Sequence, residues 1–210
     1  MTMTMSDGRL SLFAAGMAEV IDGFQRNGLP AAGGRIMIGT LTKDGFSVLW
    51  TSHDIQPSMV VTPEQESSWR VRISGRAHEK IVTDVVQWPG VETGGILVGR
   101  ISEAAQTVYV SDILPAPEDS SRSTSEFVLG TRGVRAKLDD FCTSCGYNLY
   151  CVGTWHNHLG PMGPSQTDHA TATSIALARL TPSVLLVSTP GGYRALLATD
   201  AVPVKVQTHL

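Results

Sequence analysis

Two histidines two residues apart, His156 and His158, close the run YCVGTWHNH, and Asp168 follows in SQTDHA after the turn LGPMGP. On a strand, residues two apart face the same side, about 6.6 Å apart along the backbone at a rise of about 3.3 Å per residue. Two imidazoles at that separation can converge on one ion, and imidazole nitrogen suits zinc, a borderline-soft cation. Asp168 is the candidate third ligand, because a Gly/Pro-rich turn can fold the chain back on itself. Two histidines and a carboxylate leave a fourth position open to water, the pattern of a catalytic zinc site rather than a structural one. Zinc brings the pKa of bound water down to about 7, which makes a nucleophile available at neutral pH.

Plainer readings exist for each residue. A histidine at a strand end ordinarily packs or faces solvent. Ser165 and Asp168 also fit an S-x-x-D helix start, in which the serine caps and the acid favours the helix N-terminus. The two readings of Ser165 are compatible, since a hydroxyl can cap through one lone pair and still point toward a substrate. Hydrolysis further needs a base that is not itself a ligand. Glu92, in GVETGGILVGR, stands just ahead of two glycines that permit a tight bend and close backbone approach. That places a carboxylate at the mouth of a strand, where it can face the same ion. The alternative is a solvent-exposed loop glutamate.

These residues need a scaffold, and the apolar periodicity supplies one. WRVRIS (69–74), GILVGRIS (95–102), TVYVSDIL (107–114) and the run 147–158 read as strands, as do SVLLVST (183–189) and YRALLAT (193–199). PVKVQT (203–208) reads as a weak last strand. AHEKIVTDVVQWP (77–89), TRGVRAKLDDFCTSC (131–145) and SQTDHATATSIALARL (165–180) read as helices, the second stopped by Gly146 at the position after its cap. PAPEDSSRSTSEF (115–127) reads as a polar loop. Trp155 faces the opposite side of the strand from both histidines, and packing into a core is its reading. Cys142 and Cys145 form a lone C-x-x-C at a helix end and read as structural, His169 as an exposed helix residue, and Asp139 and Asp140 as a solvated helix face. Ahead of residue 69 the pattern differs: a helix over 9–26, then a hairpin of RIMIGTL and FSVLWTS around TKDG, then a polar stretch with two prolines over 52–68. The chain therefore divides into an N-terminal helix-hairpin extension, 1–68, and an α/β (α+β) domain, 69–210.

Composition sets the outer limits. The 210 residues are 42% hydrophobic and 17% charged, enough to bury a core. A net charge of −3 and the lack of a Lys/Arg cluster argue against nucleic acid as a partner. No apolar run is long enough to span a bilayer, and the start lacks the basic region of a signal peptide. Three cysteines leave an odd thiol and point to a reducing compartment, so the expected location is cytoplasmic.

Glu92 in ETGGILVG, then His156-Asn157-His158, then Ser165 and Asp168, together resemble the JAMM (JAB/MPN) metalloprotease family, whose signature is an upstream glutamate, H-x-H and S-x-x-D in that order. The resemblance covers roughly residues 69–210. There are departures: a spacer of six residues between His158 and Ser165, shorter than usual, Leu159 where a proline is usual, and Asn157 between the histidines. The resemblance implies a cytidine-deaminase-like JAB/MPN domain, a mixed β-sheet flanked by helices. It implies one catalytic Zn2+ on His156, His158 and Asp168, with Glu92 as general base and then acid for the leaving amine. Ser165 would hydrogen-bond the oxyanion, a task worth about 2.7–4 kcal/mol. It implies cleavage after the C-terminus of a ubiquitin-like protein or its conjugate. From position alone, a groove beside the metal is expected to hold that C-terminus as an added strand, with the loop 115–126 as a flap. Residues 1–68 are similar to what precedes JAB domains in bacterial fusions with ThiF-like enzymes. That implies a ubiquitin-like conjugation system of the kind linked with antiviral defence and a ThiF-like activating enzyme as partner; an extension that merely covers the core is the other reading. Three other functions stay open beside this one: a zinc hydrolase acting on a sulfur carrier or small amide, a non-catalytic MPN-type scaffold, and a RadC-like DNA-associated domain, which the acidic charge disfavours.

Overall fold

A computed structural model describes residues 36–42, 45–51, 59–64, 67–179 and 182–198. The helix predicted over 9–26 and the last strand predicted over 203–208 lie outside these residues. The predicted N-terminal hairpin is present as β1 (Ile36–Thr42) and β2 (Gly45–Thr51), paired antiparallel from Ile36↔Thr51 to Thr42↔Gly45.

The elements that follow alternate strand and helix. In order they are β3 (Met59–Val61), β4 (Arg70–Ile73), α1 (Gly75–Gln87), β5 (Gly94–Ser102), β6 (Thr107–Pro115), β7 (Ser121–Arg122) and β8 (Phe127–Val128). Then come α2 (Val134–Ser144), β9 (Tyr150–Asn157), α3 (Gln166–Arg179), β10 (Ser183–Thr189) and β11 (Gly192–Ala198). Seven of the strands form one mixed sheet in the order β11-β10-β9-β5-β6-β4-β3. The β9–β10 and β4–β6 pairs are parallel and the other pairs antiparallel. The architecture is thus mixed α and β, as the sequence pattern predicts. Among the described residues no helix is long and apolar enough to cross a membrane.

Period-2 alternation assigns the two faces of the sheet. On one face Leu97, Val108, Val110, Trp155, Val184 and Leu186 pack with Ala77 and Ile81 of α1. On the other, Ile96 and Val98 pack with Phe141 and Cys145 of α2, while Leu185 and Leu196 meet Ala172 of α3. Trp155 is 1% exposed and sits in the first of these cores, on the face away from the histidines. Burying so large an aromatic there is what sets the register of β9, because a one-residue slip would carry it to the other side.

Local chemistry sets the helix ends. Ser74 caps α1 by accepting the Ala77 N–H (3.1 Å) and donates its own proton to the Ser111 carbonyl (2.8 Å). Past α2, Gly146 takes φ +62°; its N–H bonds the Thr143 carbonyl and the Tyr147 N–H bonds that of Cys142, a Schellman stop.

The structure adds strands where no strand was predicted. Met59–Val61, inside the stretch 52–68 read as a domain boundary, form the edge strand of the seven-stranded sheet by pairing with β4. The loop over 115–127 contains β7, which pairs antiparallel with β8 through Ser121↔Val128 and Arg122↔Phe127. A two-residue polar strand has no periodicity to read.

Candidate metal and hydrolytic site

β9 carries His156 on the face shared with Ile96 and Leu185, and His158 follows just past the strand end. Parity brings both imidazoles to one side: His156 Nε2 and His158 Nε2 are 3.1 Å apart. The turn over 159–164 returns the chain so that Asp168, in the first turn of α3, meets both. Its Oδ1 is 3.2 Å from His156 Nε2, and its Oδ2 is 3.4 Å from His158 Nε2. Tetrahedral zinc with ligand bonds of about 2.0–2.1 Å requires ligand atoms about 3.3–3.4 Å apart. The His156–His158 separation and the approach of a different Asp168 oxygen to each ring are of that size, and one ligand atom from each of the three residues lies within 4.8 Å of the others. His156 and Asp168 are each 8% exposed, so the donor set is largely withdrawn from solvent.

The ring chemistry is compatible with a cation. His158 Nδ1 lies 3.1 Å from the Met162 carbonyl, which can only accept, so Nδ1 is the donor there and the neutral form of the ring would present its lone pair at Nε2. The Asp168 carboxylate also only accepts. Three groups that can each turn a lone pair toward one point are a donor set suited to a divalent cation. The group could therefore hold a metal ion. The Met162 carbonyl, inside the turn, is the outer partner that fixes the His158 tautomer and ring orientation.

Asp168 is locked from behind. Its Oδ2 accepts the Ser165 N–H (2.6 Å) and the Ser165 hydroxyl (2.7 Å), while its own N–H donates to Ser165 Oγ (3.2 Å). This is a reciprocal capping box at the start of α3. Burial pushes the Asp168 carboxyl up, but hydrogen bonds from His156 and from the Ser165 backbone and hydroxyl outweigh it and hold it well below the usual carboxylate range. The sequence offered Ser165 two roles, and the capping role is the one this geometry displays: the one hydroxyl proton is given to Asp168.

Glu92 comes to the same place through sheet register. Gly94 of β5 pairs with His156, and Asn157 N–H donates to the Thr93 carbonyl at 2.9 Å. Continuing that antiparallel register sets Glu92 across from His158 and on its face. The residue is 8% exposed rather than a solvated loop glutamate. Burial pushes its carboxyl up, charge on His158 and His156 pulls it back, and the Asp168 and Glu126 carboxylates add to the rise. A buried base of raised pKa beside a donor set is the arrangement that proton transfer needs.

All five residues singled out from the sequence, Glu92, His156, His158, Ser165 and Asp168, line one cleft of ≈ 930 Å³. Its floor continues along Thr154 and Leu185 of the sheet and Thr171 of α3, and its far wall is the hairpin segment 124–129. Of the segment predicted as a flap, 115–126, the last three residues border the site. Phe127 lies directly over Gly94, where any side chain would collide with the Phe127 ring and with the Trp155 carbonyl. That glycine is required by the close approach of the hairpin. Val128, Leu159 and Met162 give the cleft exposed apolar residues.

Two supporting residues were not anticipated. Asn157, 3% exposed, accepts the Thr93 N–H on its Oδ1 at 2.6 Å and so ties the Glu92 segment to β9. Arg122 donates to Thr93 Oγ1 at 3.2 Å. A polar residue on the core-facing parity of β9 was the available signal for Asn157; nothing local marks Arg122. His169 is exposed on α3, and Cys142, Cys145 and Cys151 are free thiols, with Cys145 packed in the α2 core.

No protein-family model matches the chain. Over 109 residues it is 35% identical to a protein of Enterobacter hormaechei subsp. hoffmannii (strain UCI 50) named CD-NTase/cGAS isopeptidase, a match that spans 51% of this chain and 59% of that protein. The chain thus spans less than two thirds of that relative's length. Among solved structures it is similar to the solution structure of a protein from Desulfitobacterium hafniense, with a TM-score of 0.40, 17% identity, and coverage of 61% of this chain and 88% of that one.

Proposed function

We propose that the chain is a zinc-dependent isopeptidase of the JAMM (JAB/MPN) type, on a cytidine-deaminase-like fold, that cleaves after the C-terminus of a ubiquitin-like protein. The observation that carries this reading is the convergence of three lone-pair donors, His156, His158 and Asp168, at 3.1–3.4 Å beside buried Glu92. The identity with a protein named CD-NTase/cGAS isopeptidase supports the bond class. It also supports a more definite substrate: a ubiquitin-like protein joined through an isopeptide bond to a CD-NTase, within a bacterial antiviral system. A ThiF-like activating enzyme would make the bond that this chain removes.

Zinc, when bound, supplies Lewis acidity and brings the pKa of water to about 7. The chain's own residues do the rest. Glu92 accepts the proton of the attacking water and returns it to the leaving amine, so one carboxylate serves as base and then acid. The Met162 carbonyl and the Ser165 capping box hold His158 and Asp168 in their binding orientations, so that little reorganisation accompanies reaction. Ser165 borders the cleft, and its hydroxyl must rotate off Asp168 Oδ2 to donate to the oxyanion. Among the described residues β8 pairs with β7 alone, and its other edge would offer backbone groups to an extended tail lying over Thr154 and Leu185, in the manner of an added strand. Val128 and Leu129 border that path.

Purified protein is expected to hold about one zinc per chain. Chelation should abolish cleavage of an isopeptide-linked ubiquitin-like conjugate, and zinc should restore it. A chain that cleaves equally well after complete chelation refutes the metal reading; one that binds zinc yet cleaves neither isopeptide nor linear fusions refutes the isopeptidase reading.

A further inference from the structure

The hairpin β7–β8 is fastened to the back of the Glu92 segment by a set of side chains that the reaction itself does not use. The Arg122 guanidinium lies over Trp88, just past the end of α1, with its carbon 4.0 Å from the ring centroid. Its Nε donates to Thr93 Oγ1 at 3.2 Å, and that hydroxyl donates its one proton to Asp84 Oδ2 of α1 at 2.9 Å. Thr93 itself is 0% exposed, and both partners of its hydroxyl, Asp84 and Arg122, are half-buried. One residue along on each side, the Glu92 N–H donates to the Ser123 carbonyl at 2.7 Å. Glu92 therefore hangs between two anchors: the hairpin through its own backbone and β9 through Thr93 and Asn157. Phe127 completes the contact by lying on Gly94, 5.7 Å from the Arg122 carbon.

We propose that Trp88, Arg122, Thr93 and Asp84 form a latch that holds the hairpin over the cleft, and that Arg122 is a positioning residue for Glu92. The role rests on the reading of Glu92 as the base, but the latch itself does not. It explains why the hairpin, with only two residue pairs of its own, can wall the cleft at all: an isolated ladder of that length is not stable. It also explains why an arginine stands there. A planar guanidinium can stack on the indole and at the same time offer Nε in its plane to Thr93; a lysine ammonium can do one or the other. Because the stack sits on α1 and the hydrogen bond on the residue next to the base, loosening the hairpin would displace Glu92, and a displacement of about 1 Å can cost on the order of 10²-fold in rate.

The test uses the zinc-loaded full chain and its Arg122→Ala and Arg122→Lys variants, with three readouts. Amide hydrogen exchange is expected to rise at least about tenfold at Glu92 and across 123–128 in both variants, with zinc stoichiometry unchanged. With an isopeptide-linked conjugate, kcat should fall on the order of 10²-fold in Arg122→Ala while KM moves little, and Arg122→Lys should not restore it. Unchanged exchange at the Glu92 amide overturns the latch, whatever the activity. Raised exchange with unchanged kcat overturns the positioning role. If the parent chain cleaves nothing, the isopeptidase reading fails by itself and the exchange arm still decides the latch. Should Arg122→Ala fail to fold, Arg122→Lys carries the same readouts.

Discussion

Replacing Asp168 with asparagine separates its two duties. The asparagine Oδ1 can still accept the Ser165 N–H that Asp168 accepts at 2.6 Å, so the helix start survives. What is lost is the negative charge of the carboxylate that lies 3.2 and 3.4 Å from the two histidine nitrogens and is the proposed anionic ligand. With free zinc at a hundredfold its dissociation constant, binding stabilises the parent by about 2.7 kcal/mol. For a chain of this size that is a rise of about 5–11 °C in Tm, at about 2–4 °C per kcal/mol. Disturbing even an outer-shell partner costs about 10–100-fold in metal affinity, and losing a ligand costs at least the upper figure. At the same zinc concentration Asp168→Asn then retains about 0.4 kcal/mol, a shift of about 1–2 °C. Paired thermal melts in chelator and in zinc measure both shifts, with Asp139→Asn, an exposed helix acid, as the control. The reasoning is refuted if Asp168→Asn keeps a zinc-dependent shift as large as the parent's.

Two further outcomes follow from the geometry. Ser165→Ala is expected to lower kcat by about 10²–10³ at saturating zinc if the hydroxyl serves the oxyanion, and to lower Tm by a few degrees through the lost cap, worth about 1 kcal/mol. A loss confined to zinc affinity, with normal turnover of the zinc-loaded form, would reduce Ser165 to an orienting group for Asp168. At alkaline pH the half-buried Tyr193 phenol, pushed up to about 12 by burial despite a hydrogen bond with Ser188, is expected to link folding to protonation. Its folded pKa is raised, so its contribution is whole below the unfolded value near 10 and is lost as pH rises toward 12, on the order of 2–3 kcal/mol. Tyr193→Phe should lack that part of the alkaline loss in denaturant titrations at pH 9 to 12; equal slopes for parent and variant would contradict the assignment.

The parts of the site that could be read from the residues were the locally encoded ones. H-x-H reads as one-faced because strand periodicity is two, and Ser165 with Asp168 reads as a helix start because a capping box spans four residues. Gly146 marks the end of α2 for a similarly local reason. Glu92 was legible only as chemistry, a base that hydrolysis requires; that it is buried and lies across from His158 follows from the β5–β9 register, which no local pattern states. The rest depended on distance along the chain. Arg122 and Thr93 are separated by 29 residues and Asn157 and Thr93 by 64, and each pair is made only once the sheet has assembled. β3 and the β7–β8 ladder are too short for alternation to register, so the first looked like a boundary and the second like loop. The ion pairs of Asp112 with Arg76 (2.9 Å) and Lys80 (2.8 Å), which fasten α1 to β6, were silent for the same reason.

In the proposed function Glu92 moves the proton for a hydrolysis carried out at the His156, His158 and Asp168 site. Glu92→Gln keeps the shape of the side chain and removes its ability to accept a proton. The measurement is single-turnover cleavage of an isopeptide-linked ubiquitin-like conjugate by zinc-loaded parent and variant, with zinc content and melting temperature determined on the same samples. The account predicts equal zinc, an equal or higher melting temperature, and a rate lower by about 10²–10⁴-fold. A zinc-loaded Glu92→Gln protein that cleaves within a few-fold of the parent contradicts it.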